Sequence, residues 1–163
     1  MDLTPYLPFN LLLRPATPAD QVFLLQLFTS SRQRFSQMGL PATVVTHLME
    51  QQFRFQQASY QQQAPDARTC IVMLDNIAAG KLTMDIGQYH IRLMDLILLP
   101  QWQGKGYGTT LLRALQQLAA KQQKTLMLSV DRENTRAQAL YLKQGFTVDS
   151  GNDFHFNLCW QPH

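Results

Sequence analysis

The spacing of apolar residues predicts two helices near the start of the chain. Residues 17–20, Thr-Pro-Ala-Asp, combine a hydroxyl at the N-cap, a proline at the first helical position and an acid three residues after the cap. Apolar residues then recur at helical spacing over 23–28, until Met-Gly-Leu-Pro at 38–41 breaks the pattern. A longer helix with one apolar stripe follows and ends at Ala-Pro-Asp, 64–66. A short apolar run at 10–14 predicts a strand before both helices.

The pattern changes to strands interleaved with helices in the rest of the chain. Runs of apolar and β-branched residues predict strands over 69–74, 78–84, 91–99, 125–130 and 154–160. One helix is predicted from Gly106 onward and another over 135–143, with Gly145 as the C-terminal cap of the second. We therefore expect one mixed α/β domain over residues 1–163, with no linker and no internal repeat.

Composition and charge narrow the classes of ligand. Of the 163 residues, 45% are hydrophobic, so a folded domain is expected rather than a disordered chain. Charged residues make up only 15%, and 21 glutamines scattered through helical patterns supply uncharged polar surface instead. The net charge of +3, with no run of five basic residues, is small for a nucleic-acid binder. It fits a small anionic ligand at least as well.

Three further observations predict a cytoplasmic protein without a metal site. No stretch approaches 18 consecutive apolar residues, and residues 1–10 lack the pattern of a signal peptide. Cys70 and Cys159 lie far apart with no CxxC spacing, which is typical of free thiols in a reducing compartment. The four histidines show no metal-binding spacing.

The most informative segment is the end of the predicted strand 91–99 together with the turn after it, Pro-Gln-Trp-Gln-Gly-Lys-Gly-Tyr-Gly at 100–108. Glycines at alternate positions let a backbone approach a ligand closely. The free N–H groups at the start of the next helix favour an anion such as phosphate. The dinucleotide pattern GxGxxG fails because Thr109 takes the place of the third glycine, and the P-loop pattern is absent. A glycine-rich turn with no ligand is the open alternative.

Two blocks of sequence resemble a known family. Gln103-x-x-Gly106-x-Gly108, after a strand that ends at Pro100, resembles the acetyl-CoA signature of the GNAT superfamily of N-acetyltransferases. The run from Asn134 to Phe146 is similar to the N-x-x-A-x-x-L-Y-x-x-x-G-F segment of that family. One helix and one strand separate the blocks, as the family requires. The resemblance implies a GNAT-type acyl-CoA N-acyltransferase fold, with a central, mostly antiparallel sheet that is splayed at 91–99 and flanked by helices.

The resemblance also implies which residues bind acetyl-CoA. The backbone near Ile97 and Leu98 would bind the pantetheine arm, and the amides of the glycine turn would hold the pyrophosphate. Tyr141 would lie by the sulfur and protonate the leaving thiolate, since a phenol is a competent donor to a thiolate of similar basicity. The full set of implied coenzyme-binding residues is Ile97, Leu98, Gln103, Gly104, Lys105, Gly106, Tyr107, Gly108, Thr109, Asn134 and Tyr141.

In the implied reaction a neutral amine attacks the thioester carbonyl directly, and a backbone N–H near Leu98 stabilises the oxyanion. A base must first take a proton from the acceptor ammonium. Asp95 on the central strand is the first candidate, with Asp131 and Glu133 after the next strand as alternatives. An isolated carboxylate with a pKa near about 4 is a weak base for an ammonium, so burial or a relaying water has to help. Asp95 could equally be a structural carboxylate.

Structural roles are also open for two residues of the second block. Tyr141 could be a core aromatic, and Asn134 could simply begin a helix. The acceptor is expected to be a primary amine of a small molecule, or alternatively of a peptide or protein. Its site would be walled by Arg34–Met38, the long helix through Gln52 and Phe55, and Asp153–Phe156.

Two competing functions come from other classes of protein. The first is a CoA-binding sensor or interaction module that has kept the fold and lost turnover, and the intact Tyr141 argues against it. The second is a nucleic-acid-binding domain, which would bind in a salt-sensitive way. Neither nucleic acid nor a membrane is expected as a partner. Homodimers are common in the family, but the sequence shows no interface.

Overall fold

The computed structural model describes residues 3–32 and 39–163. The strands of this part of the chain are β1 (Leu11–Pro15), β2 (Arg68–Leu74), β3 (Ile77–Ile86), β4 (His90–Leu98), β5 (Thr125–Asp131), β6 (Thr147–Gly151) and β7 (His155–Trp160). Its α-helices are α1 (Gln21–Ser30), α2 (Ala42–Gln63), α3 (Tyr107–Gln122) and α4 (Thr135–Lys143). Short 3₁₀ helices lie at Thr4–Tyr6, Pro18–Asp20 and Pro100–Trp102.

The described strands form one seven-stranded sheet in the order β1-β2-β3-β4-β5-β7-β6. Neighbouring strands are antiparallel except β4 and β5, which are parallel. This parallel pair arises because α3 carries the chain back across the sheet between the two strands. The prediction of a mixed α/β fold with a mostly antiparallel sheet and flanking helices is confirmed.

The helices cover the two faces of the sheet in pairs. On one face, Leu115 of α3 and Tyr141 of α4 pack in the cluster that contains Leu126 of β5. On the other face, α1 and α2 pack together through Phe28 and Phe53, in a cluster with strand residues from β2, β3 and β4. Among the described residues, this second cluster includes none from β5, β6 or β7. The α1–α2 face of the last three strands is therefore not part of that core.

The 3₁₀ helix Pro18–Asp20, which leads directly into α1, follows the capping pattern predicted from the sequence. The backbone N–H of Thr17 donates to Asp20 Oδ2 at 2.8 Å, and the N–H of Asp20 donates to the Thr17 carbonyl at 2.9 Å. Arg14 adds a contact that the sequence did not reveal, because both of its terminal nitrogens donate to the same carboxylate, at 2.9 and 2.7 Å. The Arg14 guanidinium, together with the Thr17 N–H, holds the pKa of Asp20 well below its usual range.

The edge strand β6 is an element that the hydrophobic pattern did not predict. All five of its residues are exposed, so the alternation that marks a half-buried strand is missing. Pairing with β7 makes it a strand. The other elements near it were predicted well: α4 has the predicted bounds, and Gly145 just beyond it has a φ of 93°, as expected of a C-terminal cap.

Some sequence predictions remain outside what the structure tests. The expected acceptor wall Arg34–Met38 lies outside the described residues, and so does the first residue of the break at 38–41.

None of the described helices combines the length and the apolar character needed to cross a bilayer. Cys70 and Cys159 are both free and half-buried.

Candidate active site

An opening between β4 and β5 lies near the middle of the sheet. The two strands pair only over His90–Leu93 of β4, and beyond that point β4 has no strand partner on this side within the described chain. Met94 is an extra residue opposite β3, so a β-bulge bends β4 where the pairing ends. On the open side of segment 94–98, the carbonyl groups of Met94 and Leu98 accept side-chain hydrogen bonds, and the other backbone N–H and C=O groups are available to a ligand. Ile97 and Leu98, predicted to face the coenzyme, lie on this segment.

The glycine turn follows directly from the open segment. Gly104 and Gly106 have φ values of 73° and 90°, in the left-handed region that favours glycine. Gly106 is the N-cap of α3 and makes no side-chain cap, so the first N–H groups of the helix have no side-chain acceptor at that position. A Cβ on Gly108 would meet no heavy atom within 4 Å. Together with Tyr107 and Thr109 in the first turn, these residues leave room for an anion at a helix start.

The side chain of Gln103 links the turn to the open edge of β4. Its amide nitrogen donates to the carbonyl oxygen of Leu98 at 2.8 Å. Beside it, Lys105 Nζ lies 5.3 Å from the centre of the Trp102 ring, which also contacts Tyr107 edge-on at 6.4 Å. The indole N–H of Trp102 is buried and has no hydrogen-bond partner among the described residues. The turn is thus held by side-chain contacts on both sides of its glycines.

Arg136 brings a second cation to the glycine turn. The Nη2 atom of Arg136 lies 3.6 Å from the position that a Cβ on Gly104 would occupy. Arg136 is in the first turn of α4, so the two sequence blocks meet at this point in space. The sequence analysis quoted this arginine within the second block but gave it no role. The signal that was missed is a cation at the second residue of α4, two positions after the N-cap Asn134.

Asn134 is the N-cap of α4. Its Oδ1 atom accepts a hydrogen bond from the backbone N–H of Ala137 at 3.1 Å. The helix-start role that the sequence left open is therefore present. The role of Asn134 in coenzyme binding stays a prediction. Because Oδ1 caps the helix, Asn134 would contact the coenzyme through its side-chain amide nitrogen.

Tyr141 projects from α4 onto Phe146, with ring centres 5.8 Å apart in an edge-on contact. No hydrogen bond to its hydroxyl is found among the described residues. Burial, and secondarily the charge of Asp95, raise the pKa of Tyr141. The phenol therefore keeps its proton at neutral pH, which is the state that a proton donor requires. Tyr141 therefore packs on Phe146 through its ring and still has a hydroxyl group that can donate a proton.

Asp95 lies on β4 just beyond the bulge and forms an ion pair with Lys81 of β3, with Nζ 3.0 Å from Oδ2. The side chains of both residues are largely buried, at 16% and 8% exposure. Asp95 also influences Tyr141, which packs on the opposite face of the sheet. The charge of Asp95 on one face of the sheet thus raises the pKa of the Tyr141 phenol on the other face, at the place where the sheet is open.

Tyr60 of α2 approaches the same opening from the α1–α2 face. Its hydroxyl donates to the carbonyl oxygen of Met94, the bulge residue, at 3.5 Å. Burial and the charge of Asp95 raise the pKa of Tyr60 to about 12, while Arg32 opposes the shift. In the sequence, Tyr60 lies near the end of the long helix that carries the apolar stripe, and no role in the site was predicted for it. A tyrosine in an apolar helical stripe can pack in the core, or it can hydrogen-bond to a carbonyl group at a bulge as Tyr60 does. The local sequence pattern is the same in both cases.

A sequence model of the acetyltransferase (GNAT) family matches residues 30–146, which contain the bulged strand, the glycine turn and Tyr141. The chain belongs to the GNAT family of acetyltransferases. It is thus an acetyl-CoA-dependent acyltransferase by family, and the resemblance seen in the two sequence blocks is confirmed. No curated protein sequence matches this GNAT chain.

Solved structures of GNAT enzymes share the fold over nearly the whole chain. A PaiA N-acetyltransferase from Thermoplasma acidophilum in complex with coenzyme A is 18% identical, with 93% of this chain and 98% of that one covered and a TM-score of 0.68. An acetyltransferase from Thermus thermophilus is 24% identical, with 94% and 97% covered and a TM-score of 0.70. A Salmonella typhimurium acetyltransferase that modifies the N-terminal serine of ribosomal protein L7/L12 is 18% identical, with 96% and 97% covered and a TM-score of 0.67.

A cavity of about 520 Å³ lies between α1 and α2 of the GNAT chain. Its lining combines aromatic, glutamine and arginine side chains, namely Phe28, Arg32, Gln51, Gln52, Phe55 and Gln56. The prediction of an acceptor wall named Gln52 and Phe55 of this set. Arg32 lines this cavity, and its charge also opposes the rise in the pKa of Tyr60. A second cavity of about 500 Å³ also lies between α1 and α2 and shares Arg32, so an acceptor could enter either space on this face.

The two other candidate bases lie at the end of β5 and in the turn after it. Asp131, the last residue of β5, pairs with His155 of β7, with Oδ1 and Nε2 2.8 Å apart. Both side chains are well exposed, at 68% and 47%. Glu133 follows in the turn before α4. No group of three or more histidine, cysteine, aspartate or glutamate side chains suited to a metal ion is found among the described residues.

Proposed function

We propose that the protein is an N-acetyltransferase that moves the acetyl group of acetyl-CoA to a primary amine by direct attack in a ternary complex. The observation that carries the proposal is the opening beyond Leu93, which has Tyr141 on one face, Asp95 on the other and the glycine turn at its end. We further propose that residues 1–163 are a single N-acetyltransferase domain. A cytoplasmic location is supported by the two free cysteines.

The residues present fit coenzyme A. The backbone groups of β4 that point away from β3, in the segment of Ile97 and Leu98, would pair with the amides of the pantetheine arm as a neighbouring strand would. The space over Gly108 and the N–H groups at the start of α3 would take the pyrophosphate. Lys105 and Arg136 would add positive charge at the phosphates, and Asn134 would contact the arm or the adenine side.

The reaction needs one proton removed and one delivered. As the C–N bond forms, negative charge develops on the acetyl oxygen, and a backbone N–H near Leu98 would stabilise it. As the C–S bond breaks, the sulfur takes the proton of Tyr141, whose raised pKa keeps it protonated. The acceptor must arrive as a neutral amine or lose its proton in the site, and Asp95 at the bulge is the group that we assign to contact the acceptor nitrogen.

The acceptor class divides into two possibilities that one experiment separates. A small-molecule amine would enter the cavity between α1 and α2, whose volume of about 520 Å³ is within the usual range for small ligands. A peptide amino terminus is the alternative, and it is supported by the likeness to an enzyme that modifies the N-terminal serine of a ribosomal protein. A CoA-binding module without turnover is the remaining competitor.

The decisive experiment measures release of free thiol from acetyl-CoA with a panel of amines: glucosamine, spermidine, L-lysine and a tripeptide with a free N-terminal serine. Turnover with any of them supports the proposal, and the preferred amine identifies the class. Coenzyme binding without turnover by any amine or by a broader peptide set would identify a binding module instead. Absence of a thermal shift with millimolar CoA would contradict even that.

A further inference from the structure

The sheet carries a buried lysine next to the opening. Lys81 of β3 has a side chain only 8% exposed, and it is the only lysine or arginine that is buried among the described residues. Its strand neighbours in register are Ile71 of β2 and Ile97 of β4, on the face that packs against α1 and α2. An ammonium in such a place is costly unless it is paired. The pairing of Lys81 therefore has to be explained.

The partner of Lys81 is fixed by strand register. Because Lys81 stands opposite Ile97, and Thr83 stands opposite Asp95, Lys81 and Asp95 are diagonal neighbours on the same face of the sheet. Nζ and Oδ2 are 3.0 Å apart. Oδ2 is buried and accepts no hydrogen bond of normal geometry among the described residues, so the interaction is chiefly the attraction of the two charges.

The hydroxyl groups nearest to Asp95 are engaged with other partners. The Thr83 hydroxyl, directly across the ladder, lies 3.0 Å from the hydroxyl of Thr69 on β2. The Tyr60 hydroxyl donates to the Met94 carbonyl. Within the described chain, the orientation of the Asp95 carboxylate is therefore set by Lys81.

The accessible part of Asp95 is not the oxygen that contacts Lys81. The side chain retains 16% exposure, whereas Oδ2 itself exposes less than 1 Å². Asp95 lies at the opening, because it is the first residue after the bulge at Met94 and the pairing of β4 with β5 ends at Leu93. Oδ2 is thus held by Lys81, and the accessible part of the side chain belongs to a residue at the edge of the opening.

We propose that Lys81 is a positioning residue for acetyl transfer, which holds Asp95 by Oδ2 so that Oδ1 is directed at the acceptor amine. This inference rests on the proposed function, in which Asp95 contacts the acceptor nitrogen. A buried ion pair is not by itself evidence of stability, since apolar side chains of similar volume often replace one without loss. The location of this pair at the bulge and at the mouth of the opening gives it a role in the site.

The test compares four variants: Lys81→Met, Lys81→Arg, Asp95→Asn and the double variant Lys81→Met/Asp95→Asn. Lys121→Met, on the exposed last turn of α3, is the matched control. The acceptors are the four amines of the panel with acetyl-CoA, and CoA-induced thermal shifts report coenzyme binding. We expect Lys81→Met to lower kcat by about 10- to 100-fold with an unchanged CoA shift, and Lys81→Arg to recover most of the loss.

The double variant separates positioning from any independent effect. If Lys81 acts through Asp95, the double variant is no slower than Asp95→Asn alone, because contacting residues are coupled. This comparison also holds if Lys81→Met alone fails to fold, since the double variant contains no unpaired carboxylate at that site. A double variant well below Asp95→Asn, or Lys81→Met with wild-type kcat, would overturn the inference.

The same measurements show where a failure lies. A wild-type protein that acetylates none of the amines contradicts the proposed function, on which the role of Lys81 depends. A wild-type protein that is active while Asp95→Asn is equally active contradicts the assignment of Asp95, and the role of Lys81 with it. An active wild-type protein with an impaired Asp95→Asn variant and an unaffected Lys81→Met variant contradicts only the role of Lys81.

Discussion

The side-chain amide of Gln103 donates a 2.8 Å hydrogen bond to the carbonyl oxygen of Leu98. This contact spans the 3₁₀ helix Pro100–Trp102 and ties the beginning of the glycine turn to the open edge of β4. The strand end that would meet the pantetheine arm and the turn that would meet the pyrophosphate are therefore fixed relative to each other before any ligand arrives. Preorganisation of this kind reduces the cost of ordering a loop on binding.

Replacing Gln103 by leucine should weaken coenzyme binding without unfolding the protein. The variant loses one hydrogen bond, whose net value of about 0.5–1.5 kcal/mol corresponds to a roughly 2- to 12-fold higher Kd for CoA. Calorimetric titration of CoA measures the change. Gln101→Leu, at an exposed position two residues earlier, is the control and should bind normally. If both variants bind CoA with equal affinity, the hydrogen bond between Gln103 and Leu98 does not contribute to coenzyme binding.

Gly108→Ala should separate folding from coenzyme binding. The added methyl group meets no heavy atom within 4 Å in the free protein, and alanine is the better helix former by about 1 kcal/mol. The melting temperature should therefore hold or rise, while CoA affinity falls at least tenfold because the methyl group occupies space meant for the pyrophosphate. The control Gly87→Ala puts its Cβ in ordinary contact, 3.5 Å from the His90 carbonyl oxygen. Normal CoA binding by Gly108→Ala would place the anion site elsewhere.

Arg136→Gln should raise the Kd for CoA about tenfold at low ionic strength and make binding less sensitive to salt. The guanidinium lies beside Gly104, so its charge-assisted contacts to phosphate should be lost. Titrations at two salt concentrations give both quantities. Lys143→Gln, which removes a cation from the exposed other end of α4, should change neither. An Arg136→Gln variant that keeps the wild-type salt slope would exclude a phosphate contact.

Tyr141→Phe should lower kcat by about 100-fold and leave the Kd for CoA nearly unchanged, because it removes a proton donor and keeps the ring that packs on Phe146. Since burial raises the pKa of Tyr141, the wild-type phenol stays protonated, and its contribution to kcat should persist up to at least about pH 10. Tyr89→Phe, at a residue 67% exposed, is the control. Wild-type kcat in Tyr141→Phe, under conditions where chemistry limits the rate, would leave Tyr141 with packing alone.

Asp20→Asn should make the protein less dependent on pH in acid. The pKa of Asp20 is lowered in the folded state, so its contribution to the free energy of unfolding is present above about pH 4, the unfolded value, and is lost as the pH falls toward the folded value. At pH 7 the variant should melt at a lower temperature than wild type, and the difference should shrink toward pH 2. Thermal melts across this range measure it, and a constant difference would refute the linkage.

Local chemistry explains which elements the sequence predicted. The bounds of α4 followed from Asn134 at its start and Gly145 beyond its end, because caps act within a few residues. The capping pair Thr17–Asp20 was equally visible. The edge strand β6 was not, because its five exposed residues have no apolar period, and pairing with β7 supplies the structure instead.

Contacts between distant segments explain most of what the sequence did not predict in the site. Lys81 and Asp95 are joined by the β3–β4 register and a bulge at Met94, and neither can be deduced from spacing along the chain. Arg136 reaches Gly104 only because α4 packs beside the glycine turn. The coenzyme-binding residues stay a prediction, which rests on the resemblance of two local motifs to those of the family.

The four-residue pairing between β4 and β5 also has a consequence for local unfolding. With so short a ladder, β1–β4 and β5–β7 are joined at the sheet by few backbone hydrogen bonds. The amides of 94–98 that point away from β3, to the open side, should therefore exchange with solvent far faster than those of His90–Leu93. A coenzyme arm lying along the open edge would act as an interposed strand and slow that exchange. Coenzyme binding would then merge two parts of the sheet that open separately into one cooperative unit, and the protection would extend into β5 and β7.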